Sequence, residues 1–227
     1  MRHRLLHWFF STLLRMLSHS RVEGLENLPP GCPYLLVGNH LSVADVPLVY
    51  KYLGGPHIIG WVASKWRYHP FYLPIVLLAG GIFIRRGEVD RDALQAALDW
   101  LEAGNCFGMA PEGTRSRVGA LQRAKTGAAY LASSADVTLV PIGIIGTDWA
   151  FASLLRFRRP ELILRVGQPF KLQPIDESDR LQALRASTDE IMCRIASLLP
   201  QRYWGYYADH PRLKELTAAQ NLAQAAS

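Results

Sequence analysis

Several common signatures of chemistry are missing from this chain of 227 residues. It has no Cys-x-x-Cys and no His-Glu-x-x-His, so no familiar metal-ligand spacing is present. There is no Gly-x-Ser-x-Gly nucleophile elbow either. Zinc-finger spacing and aromatic-rich RNA signatures are absent, and the arginines are scattered. The net charge of +6 therefore points to phosphate or an anionic membrane, with no nucleic-acid partner expected. The three cysteines, Cys32, Cys106 and Cys193, are odd in number and far apart. That predicts reduced thiols in a cytosolic setting rather than a disulfide framework.

Long apolar runs are missing too. The uncharged stretch from Leu5 to Leu14 stops at Arg15, well short of the roughly 20 residues that span a bilayer. His69 to Ile84 carries no charge, but Pro74, Gly80 and Gly81 break it. It reads as buried helix or loop leading into a strand, or as the wall of an apolar slot for a lipid chain.

What is present at the N-terminus is a cationic, acid-free helix pattern. Residues 1–22 hold four Arg and no acid. Arg4, His7, Ser11, Arg15 and Ser18 recur every three or four positions as one polar stripe; Leu, Trp, Phe and Met fill the rest. Residues 1–21 are expected to form an amphipathic membrane-interface helix on an anionic leaflet. A core-packing helix is the plainer alternative, and a secretory signal is disfavoured by the missing small-residue cleavage site.

Apolar content of 49% and charged content of 19% suit one well-packed domain over residues 22–227. Strands are expected at 33–37, 57–63, 81–84, 106–109, 138–144 and 161–166, after a Gly- and Pro-containing connector at 22–33. Helices are expected at 46–53, 89–102, 121–133 and 178–199, with a short helix or frayed end at the C-terminus. This alternation predicts an α/β fold with a single sheet and helical connections.

Two stretches carry chemistry. The first is Gly38-Asn39-His40-Leu41-Ser42-Val43-Ala44-Asp45, which follows an apolar strand. A His with a nearby carboxylate is a general-base pair, because the acid fixes the tautomer and stabilises the imidazolium. Residues five apart lie about 140° apart on a helix, so His40 must precede the helix, and Pro47 favours Asp45 as its cap. A capping Asp beside an unrelated loop His is the bland alternative. The second stretch is Pro111-Glu112-Gly113-Thr114-Arg115-Ser116-Arg117, where a strand runs into a Gly turn with clustered charge. Glu112 here either orders the Arg side chains or holds a substrate hydroxyl. Arg85-Arg86-Gly87 at another strand end either grips a phosphate or lies in a solvated loop. Val140-Pro141-Ile142 reads as an active-site wall or a core strand. Trp149 to Arg159 mixes aromatics with Arg, as in a second membrane contact or a solvated loop.

Taken together, Asn39 to Asp45, Gly81 to Arg86, Pro111 to Ser116 and Val140 to Ile142 match in order the four blocks of the lysophosphatidic acid acyltransferase (PlsC-like) family, which this chain resembles. Lys125 falls where that family carries a Lys. Arg85 stands where Asp is frequent, and Ala110 where Phe is common. The resemblance implies a single mixed sheet flanked by helices, as in glycerol-3-phosphate acyltransferases. It implies acyl transfer from acyl-CoA or acyl-carrier protein to the hydroxyl of a lysophospholipid, chiefly 1-acylglycerol-3-phosphate, giving phosphatidic acid. His40 would take the hydroxyl proton and Asp45 would hold His40. Arg86, Arg115 and Lys125 would bind the acceptor phosphate, with Glu112, Gly113 and Thr114 shaping that subsite and a backbone N–H near Gly113 as a candidate oxyanion donor. No metal and no cofactor beyond the acyl thioester co-substrate are expected. The location expected is the cytoplasmic face of the cell membrane, peripheral. Another lyso-lipid acceptor, a thioesterase or a non-catalytic lipid carrier on the same fold are the alternatives.

Overall fold

The chain begins with helix α1 (Arg2–Leu17), which leads into the edge strand β1 (His19–Glu23). The structure is a computed structural model that describes residues 1–31, 33–85, 87–175 and 177–225. The remaining strands are β2 (Tyr34–Gly38), β3 (Ile58–Ala63), β4 (Ile82–Ile84), β5 (Cys106–Met109), β6 (Thr138–Ile145) and β7 (Glu161–Val166). The helices that follow α1 are α2 (Asp45–Leu53), α3 (Tyr72–Ala79), α4 (Arg91–Glu102), α5 (Gly127–Ser134), α6 (Ala150–Leu155), α7 (Arg180–Ser197) and α8 (Pro211–Ala225).

Among the described residues the strands form one seven-stranded sheet in the order β1-β7-β6-β2-β5-β3-β4. The pairing is parallel throughout except between β6 and β7, so the sheet is mixed. Strand β2 lies at the centre, between β6 and β5. Its residues are buried on both faces, which explains why it reads as a continuous apolar run. Alternate side chains leave the strand on opposite sides. Leu35 and Val37 join Phe107 and Leu139 under α5 and α7, against Leu131, Ile191 and Ile195. Tyr34 and Leu36 face the other way, with Val140, Leu162 and Leu164 under Leu48 and Leu53 of α2 and Leu14 of α1.

Helix α1 divides its apolar surface. Leu6, Phe10 and Leu14, spaced at one turn, are buried against α2 and α3. Leu5, Trp8, Phe9, Met16 and Leu17 are exposed. The helix thus serves as a core-packing element and still presents aromatic and aliphatic side chains outward. Among the described residues, no helix is long and apolar enough to cross a membrane.

Four local expectations are corrected. Residues 19–23, read partly as helix and partly as connector, form strand β1, paired in register with β7 (His19 with Glu161). An edge strand half open to solvent has no need of an apolar run, so its sequence His-Ser-Arg-Val-Glu shows none. Helix α5 starts at Gly127 rather than 121, because residues 121–125 spend their backbone groups on other loops (below). Asp45 is the first residue of α2 and not its cap; Ala44 occupies the cap position. Cys106 is disulfide-bonded, Cys193 is free and buried, and Cys32 lies outside the described residues. The inference from thiols to a reducing compartment lapses with it. Burial pushes the Cys193 thiol up to about 12, so it stays protonated and unreactive.

Candidate active site

The loop after β2 is fixed at three points. Asn39 is buried and grips the backbone of β6 with both ends of its amide: its Oδ1 accepts from Ile144 N at 2.7 Å and its Nδ2 donates to Ile144 O at 2.9 Å. His40 is tied at both backbone groups to the Pro-Glu-Gly turn after β5. Its N–H donates to Glu112 Oε1 at 3.3 Å, and its carbonyl accepts from Ser116 N at 2.7 Å. The first and third sequence blocks are therefore one hydrogen-bonded unit, spanning the neighbouring ends of the paired strands β2 and β5.

His40 Nδ1 lies 2.6 Å from Asp45 Oδ2. The same oxygen accepts from Leu41 N at 2.7 Å and Ser42 N at 3.0 Å, so Asp45 folds back over the loop that precedes its helix. Asp45 is 3% exposed, and its Oδ1 is buried with no hydrogen-bond partner among the described residues. A buried carboxylate against Nδ1 selects the tautomer with its proton there, leaving Nε2 as the basic nitrogen. His40 is half-buried and lines two cavities, of about 960 Å³ and about 400 Å³. The arrangement is chemically able to take a proton from a hydroxyl brought between them.

Glu112 is 4% exposed and lies behind the cavity walls rather than on them. Its Oε1 accepts from His40 N and its Oε2 from Gln122 N at 2.9 Å. Burial raises its carboxyl pKa, while those backbone N–H groups pull against the shift. Read from sequence as an organiser of arginines or a substrate contact, it is in this structure a strut between the His40 loop and residue 122, and it makes no bond to Arg115 or Arg117. Gly113 has φ +69°, and the Lys125 stem passes 3.4 Å from where its Cβ would be; a side chain there is strained and crowded. The Gly113 N–H itself donates to Ala110 O at 3.0 Å.

The cations of the expected phosphate subsite separate. Thr114 and Lys125 line the larger cavity with Gly113, and Arg115 lines the smaller; His40 alone of this set reaches both. Among the described residues neither Arg115 nor Lys125 has a side-chain hydrogen bond or ion pair, so both charges are available. Arg86 lies outside the described residues. Arg85 is held by acids: its Nε is 3.1 Å from Glu88 Oε1, and its N–H donates to Asp90 Oδ2 at 2.9 Å. Val140-Pro141-Ile142 lies inside β6 beside β2, with Val140 in the core and Ile142 on the larger cavity. Among the described residues no group of three or more His, Cys, Asp or Glu could hold a metal ion. The residue overlooked in sequence is Asn39, whose cue was its place between a buried strand and His40.

The smaller cavity is largely apolar and opens among exposed Phe9 and Leu17 of α1, Phe71 before α3, and Phe151 of α6. Arg159, just before β7, donates through Nη2 to the carbonyls of Arg15 and Ser18, closing the C-terminal end of α1. The N-terminal helix and the aromatic-basic stretch at 149–159 are thus one surface.

Comparison with known proteins fits this geometry. A family model described as Acyltransferase matches residues 19–145. The 1-acyl-sn-glycerol-3-phosphate acyltransferase of Borreliella burgdorferi is 30% identical over 140 residues, covering 60% of this chain and 55% of the relative. The alpha form of the enzyme of that name in Homo sapiens is 30% identical over 168 residues, covering 70% and 57%. The lyso-ornithine lipid O-acyltransferase of Brucella abortus is 30% identical over 162 residues, covering 67% and 59%. The chain spans a little over half the length of these three relatives. The crystal structure of the 1-acyl-sn-glycerophosphate acyltransferase PlsC from Thermotoga maritima shares the fold, with a TM-score of 0.66 at 24% identity over 86% of this chain and 78% of that one. With the His-Asp pair locked to the Pro-Glu-Gly turn and over half its length matched, the chain belongs to the acyltransferase family.

Proposed function

We propose that the protein transfers a fatty acyl group from a thioester, acyl-CoA or acyl-carrier protein, to the free hydroxyl of 1-acylglycerol-3-phosphate, giving phosphatidic acid. The observation that carries this reading is His40, paired with buried Asp45 and set where two largely apolar cavities meet. A two-substrate lipid reaction needs that layout: one slot for the acyl chain of the donor and one for the lipid acceptor. Ile58, Ile59, Leu94 and Leu98 line the larger slot, which suits the donor chain. The smaller slot, open among exposed aromatics, admits the acceptor from the membrane surface.

In the reaction, Nε2 of His40 takes the acceptor hydroxyl proton as the oxygen attacks the thioester carbonyl. The tetrahedral intermediate collapses, the C–S bond breaks, and the leaving thiolate recovers the proton from the imidazolium. The acceptor is itself the nucleophile and the thioester is already activated, so the reading calls for no metal and no cofactor beyond the co-substrate. In this reading the acceptor's chain lies in the smaller slot and its phosphate at the junction beside His40, where Arg115 from the smaller cavity and Lys125 from the larger, both without counter-ions among the described residues, bind it.

The test is a panel of lyso-lipid acceptors, with acyl-CoA and acyl-carrier protein as donors and product identified by mass. Phosphatidic acid is expected to dominate. Preferential acylation of a lyso-ornithine lipid, the acceptor named for the Brucella abortus relative, would move the assignment to an aminolipid. In the same assay Arg115→Ala raises KM for the phosphorylated acceptor about 10- to 100-fold, with kcat less affected; an unchanged KM would remove Arg115 from the subsite.

The protein works on the membrane as a peripheral enzyme. Trp8, Phe9, Met16 and Leu17 of α1 and Trp149, Phe151, Leu155 and Phe157 near α6 are exposed among Arg residues, a pattern suited to the anionic cytoplasmic leaflet. Replacing Trp8 or Phe151 with Asp is expected to weaken binding to anionic vesicles by roughly 10-fold each. Binding by both variants at the wild-type level in co-sedimentation would place the membrane contact elsewhere.

A further inference from the structure

The loop at residues 121–125 has an unusual set of attachments. On the active-site side, Gln122 N donates to Glu112 Oε2 at 2.9 Å, and Lys125 N donates to Pro111 O at 2.9 Å. On the far side, the loop is held by the C-terminal segment, which lies beyond the residues matched by the family model. Leu121 N donates to Tyr203 O at 2.8 Å, and Tyr206 N donates to Leu121 O at 2.9 Å. The approach is close enough that a Cβ on Gly205 would lie 2.2 Å from Leu121 O.

Ala124, which precedes Lys125, is clasped at both backbone groups. Its N–H donates to the Tyr207 hydroxyl at 3.2 Å, and its carbonyl accepts from Arg185 Nη1 at 2.7 Å. Arg185 Nη2 donates to the same Tyr207 hydroxyl at 3.1 Å and also to Asp189, so guanidinium, hydroxyl and carboxylate form one network. Tyr207 is fully buried, and neither it nor Arg185 lines either cavity. An ordinary surface loop would leave these peptide groups to water. Here side chains from α7 and from the segment before α8 fix the peptide next to a cation that has no counter-ion among the described residues.

We propose that Arg185 and Tyr207 are positioning residues that lock the Ala124–Lys125 peptide so that Lys125 meets the acceptor phosphate over Gly113. The inference rests on the reading of Lys125 as a phosphate ligand given above. Its physical basis is that Lys is a flexible point charge. Fixing its backbone and laying its stem along Gly113 removes conformations that would otherwise dilute the contact.

The test uses the full chain with Arg185→Gln, Tyr207→Phe, Arg185→Lys, Lys125→Ala and the Arg185→Gln/Lys125→Ala pair. The Tyr207 variant keeps the ring in its site and decides the matter if Arg185→Gln does not fold. Arg185→Gln and Tyr207→Phe are each expected to raise KM for 1-acylglycerol-3-phosphate about 3- to 10-fold, with KM for acyl-CoA unmoved and kcat changed less. Arg185→Lys, which keeps a charged donor, recovers most of the loss. The pair is no worse than Lys125→Ala alone. If Lys125→Ala raises the acceptor KM while Arg185→Gln and Tyr207→Phe do not, the positioning role is overturned and the Lys125 role stands. If Lys125→Ala leaves that KM at the wild-type value, the Lys125 role falls and the positioning role with it. Equal rises in both substrates' KM would show general loosening and overturn the proposal.

Discussion

His40→Ala is expected to lower kcat for acyl transfer by about 10²- to 10⁴-fold, the range for removal of a positioned general base. The fold should survive. The contacts that seat this loop are made by backbone atoms and by Asn39, so they do not depend on the imidazole: His40 N to Glu112, His40 O from Ser116, and Asn39 to Ile144. The side chain is half-buried, and its loss opens into existing cavities rather than into the packed core. A thermal melt close to wild type beside the collapse in turnover is the expected pair of results. Near-normal turnover would remove His40 from the chemistry.

Asp45→Asn is expected to cost about 10²- to 10⁴-fold in kcat and to lower stability as well, which separates it from the His40 variant. One carboxylate oxygen serves three donors: the imidazole at 2.6 Å and the N–H groups of Leu41 and Ser42. If the Asn oxygen takes that place, the imidazolium loses its negative partner, and the amide nitrogen falls where Oδ1 is buried without a partner. If the nitrogen takes it, two backbone N–H groups face a donor. Either orientation leaves a buried polar group unmet, at about 1–3 kcal/mol. Turnover within a few-fold of wild type would show that Asp45 only shapes the loop.

How far the chain could be read without its structure depends on where each residue's partners lie. Strands β5 and β7 begin and end where expected, at 106–109 and 161–166: Asn105 precedes the first and Pro111 lies two residues past its end, and Pro160 and Gly167 bound the second. Strand β1 escaped because it is itself an edge of the sheet, and its composition is set by solvent on one side. The 121–125 stretch carries apolar residues at helical spacing, but its peptide groups go to Pro111, Glu112, Tyr203 and Tyr207. Those tertiary bonds override local propensity, and no window of sequence contains them. The same holds for the site. That His40 and Asp45 belong together was legible from spacing and resemblance. That Glu112 supports the His40 backbone from behind was not, because a buried carboxylate accepting N–H bonds and an exposed one meeting a substrate look alike in sequence. The task of Asn39 is not legible either, because its partner lies at Ile144, in a strand far along the chain.

The central claim is that His40 activates a lipid hydroxyl against a thioester. The most direct test is thiol release from acyl-CoA on anionic vesicles, by wild type and His40→Ala, each with and without 1-acylglycerol-3-phosphate. Release confined to wild type with acceptor present is the predicted result. Release by wild type that ignores the acceptor, or release by His40→Ala at the wild-type rate, would contradict it.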